Sequence, residues 1–190
     1  MRILLFDNYD SFTYNLVHLL EAADSTVQVD VMKNDSDIGD RWQEYDRIVL
    51  SPGPGLPEES GELMTFLQKV VGHRPVLGVC LGLQAVQMHF GGSLVNLNNV
   101  LHGISLPTII LDTEEPIFKG VASPFMAGRY HSWVANPSDL PEVLKVIATD
   151  LEGQVMAIRH CTMDVVAVQF HPESVLTPEG SRILSNWLDS

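Results

Sequence analysis

Cysteine is scarce. Only Cys80 and Cys161 occur in 190 residues, too few for a disulfide framework or for a zinc site built from three or four thiolates. Positive charge is scarce too. Eleven Lys and Arg stand against 24 Asp and Glu, a formal charge of -13, and no Lys/Arg run breaks that balance. The basic footprint that grips a nucleic-acid backbone or an anionic membrane is missing. No apolar run approaches the roughly 20 residues of a membrane span, and the opening run Ile3–Phe6 is far short of the roughly 7–15 apolar residues of a secretory signal. Neither G-x-x-x-x-G-K-[ST] nor G-x-G-x-x-G can be fitted anywhere, which removes the commonest phosphate-binding loops. The expectation is a soluble, cytoplasmic chain with free thiols.

What is present is an ordinary globular composition, 45% hydrophobic and 18% charged, without repeats, low-complexity tracts or linkers. Residues 1–190 are therefore read as one domain of sufficient size to bury a core. In the first half, short apolar strands alternate with helical patterns. Ile3–Phe6, Ile48–Leu50 and Val76–Val79 are continuous apolar runs, as in strands buried on both faces. Val27, Val29 and Val31 alternate with polar residues. A helix with Phe12, Leu16, Leu19, Leu20 and Ala23 on one face is expected to be capped by Asp10 or Ser11. Others are expected at Glu62–Val71 and near Leu83–Phe90, stopped by Gly72 and Gly91-Gly92.

The second half reads as strands, at Ile104–Leu111, Phe125–Ala135, Val143–Ala148, Gln154–Arg159 and Val165–Phe170, before a closing helix at Glu179–Leu188. The last two strands should pair as a hairpin through Cys161–Asp164. The predicted fold class is α/β: a mixed, mostly parallel central sheet flanked by helices, with antiparallel strands in the C-terminal half.

The sharpest chemical signal is Gly78-Val79-Cys80-Leu81-Gly82, between a strand and a helix. It is the cysteine version of the G-x-S-x-G nucleophile elbow. A sharp strand-to-helix turn raises the nucleophile above the sheet, and crowding two residues either side favours glycine. The helix aims its N-terminal N–H groups at the sulfur and favours thiolate, while the Leu81 amide is placed to hold an oxyanion. A buried, inert cysteine in a glycine-rich turn is the competing reading.

A nucleophilic cysteine needs a base and a group that orients the base. Among His18, His73, His89, His102, His131, His160 and His171, the last stands out. It closes an apolar strand, and Glu173 lies two residues on, so both side chains point one way in extended chain; Pro172 favours that extension. His-x-Glu also opens the zinc deaminase signature, but no P-C-x-x-C follows. Gly53-Pro54-Gly55 follows a strand and lets backbone N–H groups approach a ligand, as a second oxyanion donor would; an ordinary tight turn is the alternative.

With SPGPG, GVCLGLQ, RYHS and QFHPES in that order between residues 51 and 174, the chain resembles, over essentially its whole length, the class I (triad) glutamine amidotransferases. The resemblance implies Cys80 as nucleophile, with His171 and Glu173 completing the triad. It places the Gly53 and Leu81 amides in the oxyanion hole. Gln84 would bind glutamine, the loop Gly53-Pro54-Gly55 and the Ser132-Trp133 backbone holding its α-amino and α-carboxylate ends. The opening FDNYDSFTYNL and the ending HPESVLTPEG look like the small subunit of anthranilate or aminodeoxychorismate synthase. Implied with it are L-glutamine as substrate, hydrolysed through a γ-glutamyl thioester, and a chorismate-using synthase subunit as partner and ammonia acceptor. The product would be anthranilate, with aminodeoxychorismate as the alternative. No metal or cofactor is expected in this chain, and magnesium is expected only in the partner. Leu83, Trp133, Ser93 and Ile104 depart from the residues common in the family; none belongs to the triad. Another α/β cysteine hydrolase, and a non-catalytic regulatory subunit, remain as rivals, the first disfavoured by Gln84 and RYHS.

Overall fold

The computed structural model describes residues 1–97 and 101–190. The elements run β1 (Arg2–Asp7), α1 (Thr13–Ala23), β2 (Gln28–Lys33), β3 (Arg47–Leu50), α2 (Leu63–Val70), β4 (Val76–Val79) and α3 (Leu81–His89). They continue as β5 (Leu94–Asn96), β6 (Ile104–Ile110), β7 (Phe125–Arg129), β8 (Trp133–Ala135), β9 (Leu144–Thr149), β10 (Val155–His160), β11 (Val165–Val168) and α4 (Gly180–Asp189). A sheet of nine strands in the order β2-β1-β3-β4-β11-β10-β9-β6-β7 carries the molecule, and β5 pairs β8 in a separate ribbon. The first five strands of that order are parallel; the rest of the sheet is antiparallel. The expected α/β class, parallel through the middle with an antiparallel C-terminal half, is what the chain adopts.

Continuous apolar runs become central strands because both faces are covered, and the period of two sorts their residues. Ile3 and Leu5 of β1 turn to one side with Leu16 and Leu20 of α1 and Ile183, Leu184 and Trp187 of α4. Leu4 and Phe6 turn to the other side with Leu63, Phe66 and Leu67 of α2 and Leu83 and Val86 of α3. Phe6 stacks on Phe66 at 4.3 Å between ring centroids. The site-bearing ends of β1, β3, β4 and β11 therefore lie side by side at the carboxyl edge of a parallel sheet, where α/β folds present ligand sites.

Several expectations are corrected. The span Phe125–Ala135 is two strands, since the chain leaves β6 after Arg129 and joins the β5 ribbon at Trp133. Neither Gly nor Pro marks the crossing at Tyr130–Ser132. Helix α1 is capped at Phe12 without a side-chain bond; Asp10 instead accepts the Phe12 N–H, at 2.7 Å. Helix α3 starts at Leu81, directly after Cys80. Strand β11 stops at Val168, and His171 makes only an isolated bridge to Gly128. The hairpin through Cys161–Asp164 forms as expected.

Candidate active site

The parallel ladder carries the chain up to Cys80, whose N–H still donates to the Val168 carbonyl at 2.8 Å. There the backbone reverses. Cys80 has φ +52° and ψ −100°, a conformation that costs a non-glycine residue about 1–3 kcal/mol and clusters at functional sites. The Cys80 carbonyl accepts from Leu83 and Gln84, so α3 begins on Cys80 itself, and the first N–H groups of the helix have no intrahelical partner. The flanking glycines are required by contact. A Cβ on Gly78 would sit 2.7 Å from the Gly82 backbone, and one on Gly82 would sit 2.8 Å from the Leu50 carbonyl oxygen.

The loop after β3 is brought against this elbow. A Cβ on Gly53 would lie 2.6 Å from Asn8 and 2.9 Å from the Leu81 side chain, so the bare Gly53 backbone abuts Leu81. Asn8 fixes the loop: its N–H donates to Ser51 Oγ at 2.8 Å and its Nδ2 to the Ser51 carbonyl at 3.0 Å. Pro54 and Gly55 form the exposed tip of the loop, where Gly55 takes φ +75° and faces Glu59 rather than the elbow.

His171 is 2% and Glu173 5% exposed, and His171 Nδ1 meets Glu173 Oε1 at 2.6 Å. The imidazole is held from several directions. Its backbone N–H donates to the Gly128 carbonyl, Thr177 Oγ1 donates to its carbonyl at 2.6 Å, and the Tyr130 and Phe12 rings stand 4.7 and 6.0 Å from it. Nε2 is buried and has no hydrogen-bond partner among the described residues. Burial on its own pushes the imidazole pKa down. The nearby Cys80 sulfur, together with the Glu173 carboxylate bonded to Nδ1, outweighs it and holds the pKa well above the ordinary value. The arrangement is a cysteine sulfur beside an imidazole braced by a carboxylate.

Gln84 is buried, and its Nε2 donates to the Trp133 carbonyl at 2.9 Å, while the Ser132 carbonyl accepts from Leu97 at 2.7 Å. Both carbonyls of the Ser132-Trp133 segment thus already have a donor within the protein. His131, in the RYHS string, is buried and kept neutral: burial, then the nearby Arg129 and His171 charges, lower its pKa to about 3.

Two further residues of the site were not expected from sequence. Asp10 brings a carboxylate oxygen to the dyad, such that Asp10, His171 and Glu173 each offer an atom within 4.8 Å of the others. Gln169, fully buried, donates Nε2–H to Cys80 Sγ at 3.5 Å. Their proximity is tertiary, and only the string Gln169-Phe170-His171-Pro172-Glu173 hinted at the second.

A model of the family "Glutamine amidotransferase class-I" matches residues 4–190. The chain belongs to this family. Among curated amidotransferase relatives, anthranilate synthase component 2 of Mycobacterium tuberculosis is 42% identical, over 99% of this chain and 82% of its own. The aminodeoxychorismate/anthranilate synthase component 2 of Bacillus subtilis is 40% identical, over 99% and 96%. The bifunctional protein TrpGD of Thermotoga maritima is 40% identical over 99% of this chain, which spans 32% of that longer protein. A solved glutamine amidotransferase from Thermotoga maritima superposes with TM-score 0.76 over 100% of this chain and 81% of its own; at 18% identity it bears on the amidotransferase fold alone. No helix among the described residues is long and apolar enough to cross a membrane.

Proposed function

We propose that the chain is the glutaminase subunit of a chorismate-using synthase, hydrolysing L-glutamine to glutamate and ammonia and passing the ammonia to a partner that makes anthranilate. The observation that carries this reading is the strained Cys80 at the elbow beside a buried His171–Glu173 pair bonded at 2.6 Å. The Cys80 thiolate attacks the side-chain amide carbon of glutamine, and the oxyanion is held by the N–H groups of Gly53 and Leu81. His171, kept protonated by Cys80 and Glu173, gives its proton to the departing nitrogen as the C–N bond breaks, leaving a γ-glutamyl thioester and ammonia. The neutral imidazole then takes a proton from water. The resulting hydroxide equivalent attacks the thioester carbon, the C–S bond breaks, and glutamate leaves with the thiolate and imidazolium restored.

Gln84 supports substrate binding in this reading, since its nitrogen is committed to Trp133 and its oxygen is left to accept an N–H. The Gly53-Pro54-Gly55 loop and the Ser132-Trp133 backbone would take the charged α-end of glutamine. No metal is assigned to this chain; Asp10, His171 and Glu173 converge, but the last two serve the thiol, and magnesium is assigned to the partner. A cytoplasmic location goes with this activity. Aminodeoxychorismate is the second product to consider, because the Bacillus subtilis relative bears both synthase names.

The test is glutamate release from free glutamine by the purified chain, alone and with an anthranilate or an aminodeoxychorismate synthase large subunit added. Stimulation by the first, with ammonia appearing in anthranilate and lost in Cys80→Ala, supports the proposal. Stimulation by the second alone reassigns the product, and turnover undiminished in Cys80→Ala rejects the nucleophile.

A further inference from the structure

Gln169 follows the last residue of β11 and has no exposed surface. Its neighbours Val168 and Phe170 both join the core under α1 and α4, so the alternation of extended chain turns Gln169 to the opposite side, toward α3. There it stands between two groups of the site. Its Nε2 is 3.5 Å from Cys80 Sγ, and its Oε1 is 3.5 Å from Gln84 Nε2, a long contact. Gln84 Nε2 in turn donates to the Trp133 carbonyl at 2.9 Å.

The direction of this chain of amides is chemically determined. A backbone carbonyl can only accept, so the nitrogen of Gln84 must face Trp133. With that nitrogen also facing Gln169, the Gln169 oxygen is turned toward Gln84, and its N–H₂ group is left pointing at the sulfur. Flipping Gln169 would set its N–H₂ group against the N–H₂ group of Gln84. A fully buried amide does not accept that donor–donor mismatch when the alternative orientation avoids it.

We infer that Gln169 is a positioning residue for the nucleophile: held in one orientation by Gln84 and the Trp133 carbonyl, it donates a hydrogen bond that stabilises the Cys80 thiolate. The inference rests on the proposed role of Cys80 as nucleophile. It also ties the segment proposed to take the α-end of glutamine, Ser132-Trp133, to the sulfur through two side chains. A donor to a thiolate raises the ionised fraction and lowers the reactivity of each thiolate. Its removal therefore moves the pH midpoint of reaction without lowering the plateau.

The experiment is the pH dependence of Cys80 alkylation by iodoacetamide in the wild-type chain and in Gln169→Met, which keeps the volume and loses the donor; Cys161 is replaced by Ser in both. The account predicts a midpoint about one unit higher in the variant, and so alkylation about tenfold slower at a pH below both midpoints, with a plateau rate equal or higher. An unchanged midpoint with a lowered plateau overturns it, since mere loosening of the site has that signature. Alkylation needs no glutamine, so a chain that hydrolysed none would still report on the Gln169 bond. Should Gln169→Met not fold, the wild-type chain gives the answer by NMR. The Gln169 side-chain amide protons should titrate with the alkylation midpoint and cease to do so in Cys80→Ala. Shifts that ignore pH in the wild type overturn the inference.

Discussion

Gly78→Ala is the perturbation that most directly probes how the sheet delivers the nucleophile. The added Cβ would stand 2.7 Å from the carbonyl carbon and oxygen of Gly82, where ordinary contact begins at 3.4 Å, and 3.0 Å from the Ala167 Cβ. Backbone atoms of α3 cannot rotate away as a flexible side chain would. The helix must therefore back off by about 0.7 Å, the difference between 3.4 and 2.7 Å, and the Cys80–Leu81 turn that it starts from must move with it. Overpacking of this kind costs about 1–3 kcal/mol. At about 2–4 °C per kcal/mol for a chain of this size, that lowers Tm by roughly 2–12 °C. Misplacement approaching 1 Å costs up to about a hundredfold in rate, so kcat for glutamate release should fall roughly tenfold to a hundredfold while the fold survives. The assay is glutamate production in the partner complex beside thermal unfolding of the isolated chain. Wild-type kcat and Tm in Gly78→Ala would refute the contact argument for the elbow. The pair Gly78→Ala and Gly82→Ala should be non-additive, because the first strikes the backbone of the second.

Three further outcomes follow from the site. Glu173→Gln removes one of the two groups that raise the His171 pKa against the downward pull of burial; the basic limb of kcat/KM should move to lower pH, and kcat should fall by about two orders of magnitude or more. An unmoved limb would deny Glu173 its electrostatic part. His131 is held neutral down to about pH 3 although it titrates near 6.5 when unfolded, so the unfolded chain binds the extra proton between those values and stability falls as pH drops. Urea unfolding should show about 2 kcal/mol lost between pH 7 and pH 5 on this account, absent in His131→Gln; an equal loss in both proteins would place the sensitivity elsewhere. Asn8→Ala removes the bond from Nδ2 to the Ser51 carbonyl and loosens the loop bearing Gly53. A drop of about tenfold in kcat/KM with about 1 kcal/mol of destabilisation is expected, and full activity would show that the loop holds its place unaided.

The parts of the fold that local chemistry dictates were readable from the chain. Buried parallel strands announce themselves as unbroken apolar runs, and Ile3–Phe6 and Val76–Val79 became central strands for that reason. The elbow was legible because glycines at Gly78 and Gly82 are demanded by backbone contact, which leaves a spacing in the sequence. What local signals misplace is what distant segments decide. The break between β7 and β8 carries no Gly or Pro; it exists because the short β5, itself unexpected, offers Trp133–Ala135 a second sheet to join. Helix α3 was placed near Leu83–Phe90 and begins at Leu81, because Gly82 lies inside it, packed against Leu50. Asp10 looked like a helix cap, and its approach to His171 and Glu173 comes only from the folded sheet edge. Gln169 lay within the expected strand Val165–Phe170, and only the packing of α3 beside β11 shows that the sulfur is what it faces.

The central claim is that Cys80 carries the glutamyl group during turnover. The direct measurement is acid quenching of the partner complex during steady-state hydrolysis of isotopically labelled glutamine, followed by peptide mass spectrometry. The account predicts a labelled glutamyl group on the peptide containing Cys80, accumulating when His171 is replaced by a residue that cannot deprotonate water fast enough to clear it. Steady hydrolysis with no label on that peptide, in the wild type and in such a variant alike, would contradict it.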